Sequence, residues 1–157
     1  MFVFLQALMA GPNTHDGTFI HLQGLIAAGL SPFRPQLVAL SAGWLLLREL
    51  DRFATSRADF AFESTLSGLG YVGRIRRWKA AGYRIEIVYL CLASPQLALR
   101  RIAARVSQGG HDVTRTDVLR RFTRGRANFA KMYRPLADAW AMYDNSGLRP
   151  RLLEKKP

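Results

Sequence analysis

Apolar positions change rhythm several times along the 157 residues, and each change marks an element. Phe2 to Ala10 is a nearly unbroken apolar run that reads as a buried strand, and it meets a sharp turn at Gly11-Pro12-Asn13. Leu25 to Leu30 leads to Ser31-Pro32-Phe33-Arg34-Pro35, a stop followed by a helix start with proline in its first turn. From Pro35 to about Ser56, Leu37, Leu40, Trp44, Leu47 and Leu50 recur at helical spacing, which predicts a long amphipathic helix packed on a sheet. Phe60 and Phe62 then alternate across a strand from about Asp59 to Glu63.

A helix over about Tyr71 to Ala81 is closed by Gly82. Arg84 to Leu92 is rich in β-branched residues and predicts a strand covered on both faces. Ser94-Pro95 opens a helix to about Gln108 that Gly109-Gly110 stops, and a second helix spans about Thr114 to Met132. Trp140 to Tyr143 predicts a short strand before the turn Asp144-Asn145-Ser146-Gly147, and Arg151 to Leu153 returns to the sheet edge. Strands alternating with helices predict one α/β domain over residues 1–157, three-layered, with a mainly parallel sheet.

Composition narrows the class. An apolar fraction of 49% with 22% charged residues is ordinary for a soluble globular protein, and no run of 18 apolar residues offers a membrane span. The first ten residues lack a basic start, and Leu8 stands where a leader's cleavage site wants a small residue, so a buried strand is the better reading. Cys91 is the single cysteine, which excludes an intrachain disulfide and fits a reducing cytoplasm; within its apolar run it reads as core filler. The net charge of +12 is unevenly spread. Residues 1 to 47 hold one acid, Asp16, and one base, Arg34, while arginines crowd the chain from Arg74 to Arg134. Such a field attracts polyanions: nucleic acid, nucleotide phosphates or an acidic protein.

The candidate chemistry centres on Asp59-Phe-Ala-Phe-Glu-Ser-Thr-Leu-Ser-Gly68, where a strand gives way to a carboxylate, hydroxyls and a glycine. In an α/β sheet this is the carboxyl edge, where ligands bind. Glu63 and Thr65, two apart, project from one face of an extended segment and could together grip hydroxyls or amides. Equally, Glu63 could cap the next helix or pair with an arginine. Gly11-Pro12-Asn13 followed by Gly17-Thr18 has the outline of a phosphate-binding loop, or of an ordinary surface turn. Its spacing departs from the full pattern: Asp16 stands five positions after Gly11, Gly17 comes one late, and no lysine precedes Lys79.

Arg101 and Arg105 share a helix face, and Arg120, Arg121 and Arg124 form a second cluster beyond the Gly109-Gly110 hinge. That arrangement suits charge neutralisation in phosphoryl transfer, with a solvated basic face as the alternative. His111-Asp112 has no third partner and no metal-ligand spacing; a helix N-cap by Asp112 or Thr114 is the favoured reading there. Trp44, Trp78 and Trp140 read as core and sheet-face packing, not as a base-stacking platform.

Taken together, Ala10-Gly-Pro-Asn13, Leu25 to Phe33, Phe60 to Gly68, Ala80 to Tyr83, Arg105-Val106 with Gly109 to Val113, and Tyr133 to Asp138 through Tyr143 to Gly147 resemble the zeta-toxin-type family of small P-loop kinases and its ATPase relatives. The resemblance implies a P-loop NTPase/kinase-like fold that transfers a phosphoryl group from ATP or GTP, with Mg2+, to a sugar hydroxyl. Zeta toxins proper act on UDP-N-acetylglucosamine, and an antitoxin protein is the partner this implies. On that pattern Glu63 and Thr65 match the substrate-binding Glu-x-Thr motif, Arg105 with Arg101 falls where family arginines meet nucleotide phosphates, and Gly11, Pro12, Asn13, Gly17 and Thr18 occupy the place of the phosphate loop.

The departures bear on chemistry. The loop lysine is absent, and the aspartate expected to activate the acceptor hydroxyl is Gly24, so no catalytic residue and no metal ligand is assigned. Phe19 to Leu25 is too short for the usual first helix and return strand, so part of the first helix-strand unit is missing. Losing charge stabilisation and a general base each cuts rate by about two to four orders of magnitude, which predicts an impaired kinase. The alternative is a catalytically inactive module that recognises an antitoxin-like protein or a polyanion, nucleic acid included, through its arginine-rich half.

Overall fold

The computed structural model describes the backbone of residues 5–10, 18–19 and 35–42, and backbone and side chains of residues 43–110 and 112–157. The order is β1 (Leu5–Ala10), β2 (Thr18–Phe19), α1 (Pro35–Thr55), β3 (Phe60–Ser64), α2 (Gly70–Ala80), β4 (Arg84–Cys91), α3 (Pro95–Ser107), α4 (Arg115–Asn128), a π turn at Phe129–Tyr133, a 3-10 turn at Arg134–Leu136, β5 (Ala139–Asp144) and β6 (Arg151–Lys156). The class is α/β. Gly11, Pro12, Asn13, Gly17, Gly24, the Leu25 to Leu30 segment and His111 lie outside the described residues. Among the described residues no helix is long and apolar enough to cross a membrane.

Local chemistry explains where the helices stop and start. The Ser94 hydroxyl accepts from Leu97 N at 3.2 Å with Pro95 in the first turn, and Thr114 accepts from Asp117 N at 3.2 Å, so of the two cap candidates it is Thr114 that caps α4. Gly82 (φ 91°) and Gly109 (φ 83°) end α2 and α3 in the left-handed conformation that glycine adopts without strain. The N–H of Tyr83 reaches back to Trp78 O at 3.0 Å and that of Gly110 to Arg105 O at 2.9 Å, which satisfies the last carbonyls of each helix.

The sheet order is β2-β3-β1-β4-β5-β6. β2 runs parallel to β3 and β4 parallel to β5, while β1 runs antiparallel to both β3 and β4, and β6 antiparallel to β5. The expected mainly parallel sheet is therefore corrected to a mixed one. The helical crossovers from Phe60 to Asp144 do keep β3, β4 and β5 in one direction, as such connections must. A short turn cannot, so β6 returns antiparallel, and the apolar run of β1 carries no directional information.

Most of the core is one cluster. Ile85, Ile87 and Tyr89 on one face of β4 join Phe60 and Phe62 of β3, Leu50 of α1, Val72, Ile75 and Trp78 of α2, Phe129 and Tyr133 of the π turn, and Trp140 of β5. Glu86, Val88 and Leu90 on the other face of β4 are only half-buried, which corrects the expectation of a strand covered equally on both faces. Trp44 also departs from expectation: it is 71% exposed, not packed on the sheet. At about 100° per residue Trp44 lies some 120° round the helix from Leu50, whereas Leu46, Phe53 and Ala54 lie within about 60° of it and pack. Trp78 and Trp140 are buried as expected.

Polar contacts fix the pieces to one another. Arg74 of α2 donates to both Asp51 oxygens of α1, at 3.2 and 3.1 Å. Asp138, just before β5, accepts from Lys79 Nζ at the end of α2 and from Ile85 N at 2.8 Å, while its own N–H donates to Ile85 O at 2.8 Å. Partial burial pushes the Asp138 carboxyl upward, but the hydrogen bonds from Lys79 and Ile85 win and hold it below its ordinary 3.8. A carboxylate depressed in the folded state contributes stability above its unfolded pKa, and that contribution is lost as the pH falls through the folded value. Asp138→Asn is therefore expected to lower the thermal midpoint at pH 7 and to flatten its fall below about pH 4; a variant curve as steep there as the wild type's contradicts this role.

Candidate functional site

Because β3, β4 and β5 share a direction, their carboxyl ends lie along one edge of the sheet: Ser64, Cys91 and Asp144 with the loops that follow. Glu63 is half-buried within the last turn of β3, on the face opposite Phe60 and Phe62. Among the described residues no side chain pairs with its carboxylate, so the cap and ion-pair alternatives for Glu63 find no support there. Thr65 falls just outside the strand. Its hydroxyl is 2.9 Å from that of Ser67 and the Ser64 hydroxyl accepts from Leu66 N at 3.2 Å, a small polar loop closed on itself.

This loop is held from one side by α4 and its continuation. Leu66 is fully buried with φ 51°, an uncommon conformation for a residue with a β-carbon. Asn128 Nδ2 donates to Leu66 O at 2.8 Å, and Tyr133 Oη donates to Gly68 O at 2.6 Å. Gly125 lets α4 approach so closely that a β-carbon there would stand 2.5 Å from Thr65 O. Burial pushes the Tyr133 hydroxyl up to about 12, so it is a proton donor at any physiological pH. Sequence reasoning missed Gly125, Asn128 and Tyr133 as parts of this site; a glycine inside a basic helical run was the available signal.

The neighbouring loop, after β5, is organised around Asn145 and Arg101. Asn145 is 2% exposed, and its N–H donates to Cys91 O at 2.8 Å. Ser146 accepts from Ala93 N at 2.8 Å and donates its own N–H to Asp144 Oδ1 at 2.9 Å. Hydrogen bonds from Ser146, with Arg151 nearby, hold the Asp144 carboxyl below the usual carboxylate range. Arg101 Nη2 donates to Ser146 O and Gly147 O at 3.2 and 3.4 Å, while its Nη1 and the Asn145 amide nitrogen are buried donors without an acceptor among the described residues. Two such orphaned donors at one edge are what an acceptor-rich ligand would satisfy.

Arg105, one turn further along α3, packs its stem where Gly110 doubles back: a β-carbon at Gly110 would meet Arg105 Cγ at 2.6 Å. On α4, Arg124 and Arg126 are exposed near the Thr65 loop, and Arg120 pairs with Asp117. Cys91 is a free, half-buried thiol whose pKa burial raises.

The structure thus brings Glu63, Thr65 and Arg101 to one edge. Thr18 is elsewhere. It pairs with Phe60 at the start of β3, about four residues or ~13 Å from Ser64 along the strand. β1 likewise delivers Ala10 opposite Arg84, at the start of β4.

The sequence model of the family described as Zeta toxin matches residues 26–147. The chain belongs to the zeta toxin family. An uncharacterized protein of Haemophilus influenzae (strain ATCC 51907 / DSM 11121 / KW20 / Rd) is 30% identical over 97 residues, spanning 62% of this chain and 69% of that protein. No solved structure matches. The matched range contains Glu63, Thr65, Arg101, Arg105 and the clamping residues on α4, and it begins after β1 and β2.

The contact at Gly125 generates two opposite expectations. Gly125→Ala forces backbone apart and should cost about 1–3 kcal/mol in urea unfolding. Gly73→Ala, in an exposed stretch of α2 with nothing within 4 Å of the new β-carbon, should instead stabilise by about 0.5–1 kcal/mol. Equal effects at the two positions would show that α4 does not press on the Thr65 carbonyl.

Proposed function

We propose that this zeta-toxin-family chain binds a nucleotide sugar such as UDP-N-acetylglucosamine across the carboxyl edge of β3 to β5, with residual ATP- or GTP-dependent phosphotransfer to one of its hydroxyls. The observation that carries the reading is the Glu63 carboxylate, without a side-chain partner among the described residues, at the end of β3 next to the Thr65 loop that α4 holds, inside the range that the family shares. A carboxylate accepts from sugar hydroxyls or an amide N–H, and the threonine hydroxyl can donate or accept. Family membership supports a P-loop-kinase-like, nucleotide-binding protein.

Arg101 and Arg105 are assigned to the phosphates of the donor. In support, one Arg101 nitrogen is buried without an acceptor among the described residues while the other braces the loop after β5. Asp144, held ionised, is a carboxylate this edge could offer to Mg2+, which binds phosphate oxygens through one or two carboxylates and water and spreads their charge; Glu63 stands three strands away and is left to the sugar. Ala10 and Thr18 stand at the entry edge of the sheet, so Gly11, Pro12, Asn13, Gly17 and Thr18, expected from the sequence as the phosphate turn, take no part in this reading. Without a lysine there, and with Gly24 where the acceptor base is wanted, turnover is reduced by both losses.

A second reading has its own observation. Arg115, Arg124 and Arg126 are exposed round α4 and Arg100 on α3, in a chain of net charge +12, and these charges suit an acidic antitoxin-like protein or a polyanion with no catalysis at all.

Calorimetry separates the two. The first expects heat from UDP-N-acetylglucosamine that Glu63→Gln weakens about tenfold through the loss of a charged hydrogen bond; no heat from it or from ATP with magnesium at millimolar concentration rules this reading out. The second expects partner affinity to fall steeply with salt and Arg124→Ala to lessen that slope, and salt-independent binding contradicts it.

A further inference from the structure

The geometry points to Asn128 and Tyr133 as positioning residues for the acceptor end of the site: they hold the Thr65–Gly68 loop, and through it Glu63 and Thr65, in the shape that receives the sugar. This deepens the nucleotide-sugar reading above and rests on it.

Both residues act on main-chain carbonyls of the loop, Asn128 on Leu66 and Tyr133 on Gly68, while α4 abuts the carbonyl of Thr65 at Gly125. One helical segment therefore sets three carbonyls within four residues. Between them sits Leu66 in the left-handed region, a conformation that costs on the order of 1–2 kcal/mol and persists only where its surroundings impose it. The imposed conformation turns the chain immediately after Thr65.

The π turn is what lets one helix do this. In a regular α-helix residues five apart point about 140° away from each other, so Asn128 and Tyr133 would not reach the same loop. The wider turn over Phe129–Tyr133 brings them toward one side. It is anchored in turn, because Phe129 stacks on Tyr89 of β4 with ring centroids 4.3 Å apart and meets Trp140 of β5 edge-on at 6.0 Å. The loop after β3 is thereby registered against the two neighbouring strands whose ends form the rest of the edge.

The test uses the full chain with Asn128→Ala and Tyr133→Phe, the latter removing one hydroxyl and leaving the ring in the core. UDP-N-acetylglucosamine and ATP are titrated separately by calorimetry, and amide hydrogen exchange is followed without ligand at Leu66, Ser67 and Ile87. The expected result is a Kd for the nucleotide sugar raised about tenfold in each variant, ATP affinity within about twofold of wild type, and exchange at Leu66 and Ser67 accelerated far more than at Ile87. Nucleotide-sugar affinity unchanged in both variants, or lost in step with ATP affinity, overturns the proposal. A wild-type chain that binds no nucleotide sugar removes the underlying reading instead. Exchange then decides alone: unaltered rates at Leu66 and Ser67 overturn the positioning role, and selective acceleration there sustains it.

Discussion

The common direction of β3, β4 and β5 is the constraint on which the site depends. Only because these three strands point one way do Glu63, Thr65, Asp144, Asn145 and Arg101 fall along a single edge, although up to 82 residues of sequence separate them. The direction follows from connectivity. A helix between two strands returns the chain to its starting edge, so α2 carries it from β3 to β4, and α3 with α4 carries it on to β5. Asp138 then holds β5 to β4 at the opposite, entry edge, where its carboxylate and N–H straddle Ile85 and Lys79 ties in the end of α2. Entry-edge polar contacts set the register; exit-edge loops are left free for binding.

Much of this was legible in the sequence, for reasons that can be stated residue by residue. Helix ends marked by Gly82, Gly109 and Ser94-Pro95 fall where expected, because these residues impose backbone conformations regardless of tertiary context. The strand pattern of Phe60 and Phe62, and of Ile85, Ile87 and Tyr89, survives because one face of each strand faces the core. Trp44 misled, since spacing by threes drifts round a helix by about 60° per step and three apolar residues can share a list without sharing a face. The orientation of β1 could not be read at all, as its nearly unbroken apolar run looks the same in either direction.

The clamp on the Thr65 loop was illegible for a different reason. Asn128 and Tyr133 bond to carbonyl oxygens, which every residue possesses, so their partners leave no trace in side-chain identity. The π turn that aims them depends on Phe129 finding Tyr89 and Trp140, contacts between residues far apart in sequence. By contrast Glu63 and Thr65 stand out in the sequence as candidates, because a candidate ligand contact shows in side-chain identity whereas loop geometry needs only a donor in the right place.

The antiparallel setting of β1 and the family match bear on different parts of the chain, and this shapes what chemistry the fold can retain. The shared range begins at residue 26, after β1 and β2, and it contains the whole of the edge built by β3 to β5. In P-loop proteins the phosphate-binding turn follows a strand that runs with its neighbours, so that the turn opens on the same edge as the acceptor. Here β1 runs against β3 and β4 and ends opposite Arg84, at their entry edge. The carboxyl edge of β3 to β5 can persist under this arrangement, since the common direction of these strands and the clamp from α4 on the loop after β3 do not depend on which way β1 runs between β3 and β4. With no lysine before Lys79, a cation tied to this edge by hydrogen bonds is Arg101 of α3, whose Nη2 braces the loop after β5. The edge built by β3 to β5 is thus physically separable from the segment around β1, and a chain altered before residue 26 would keep the contacts described along that edge.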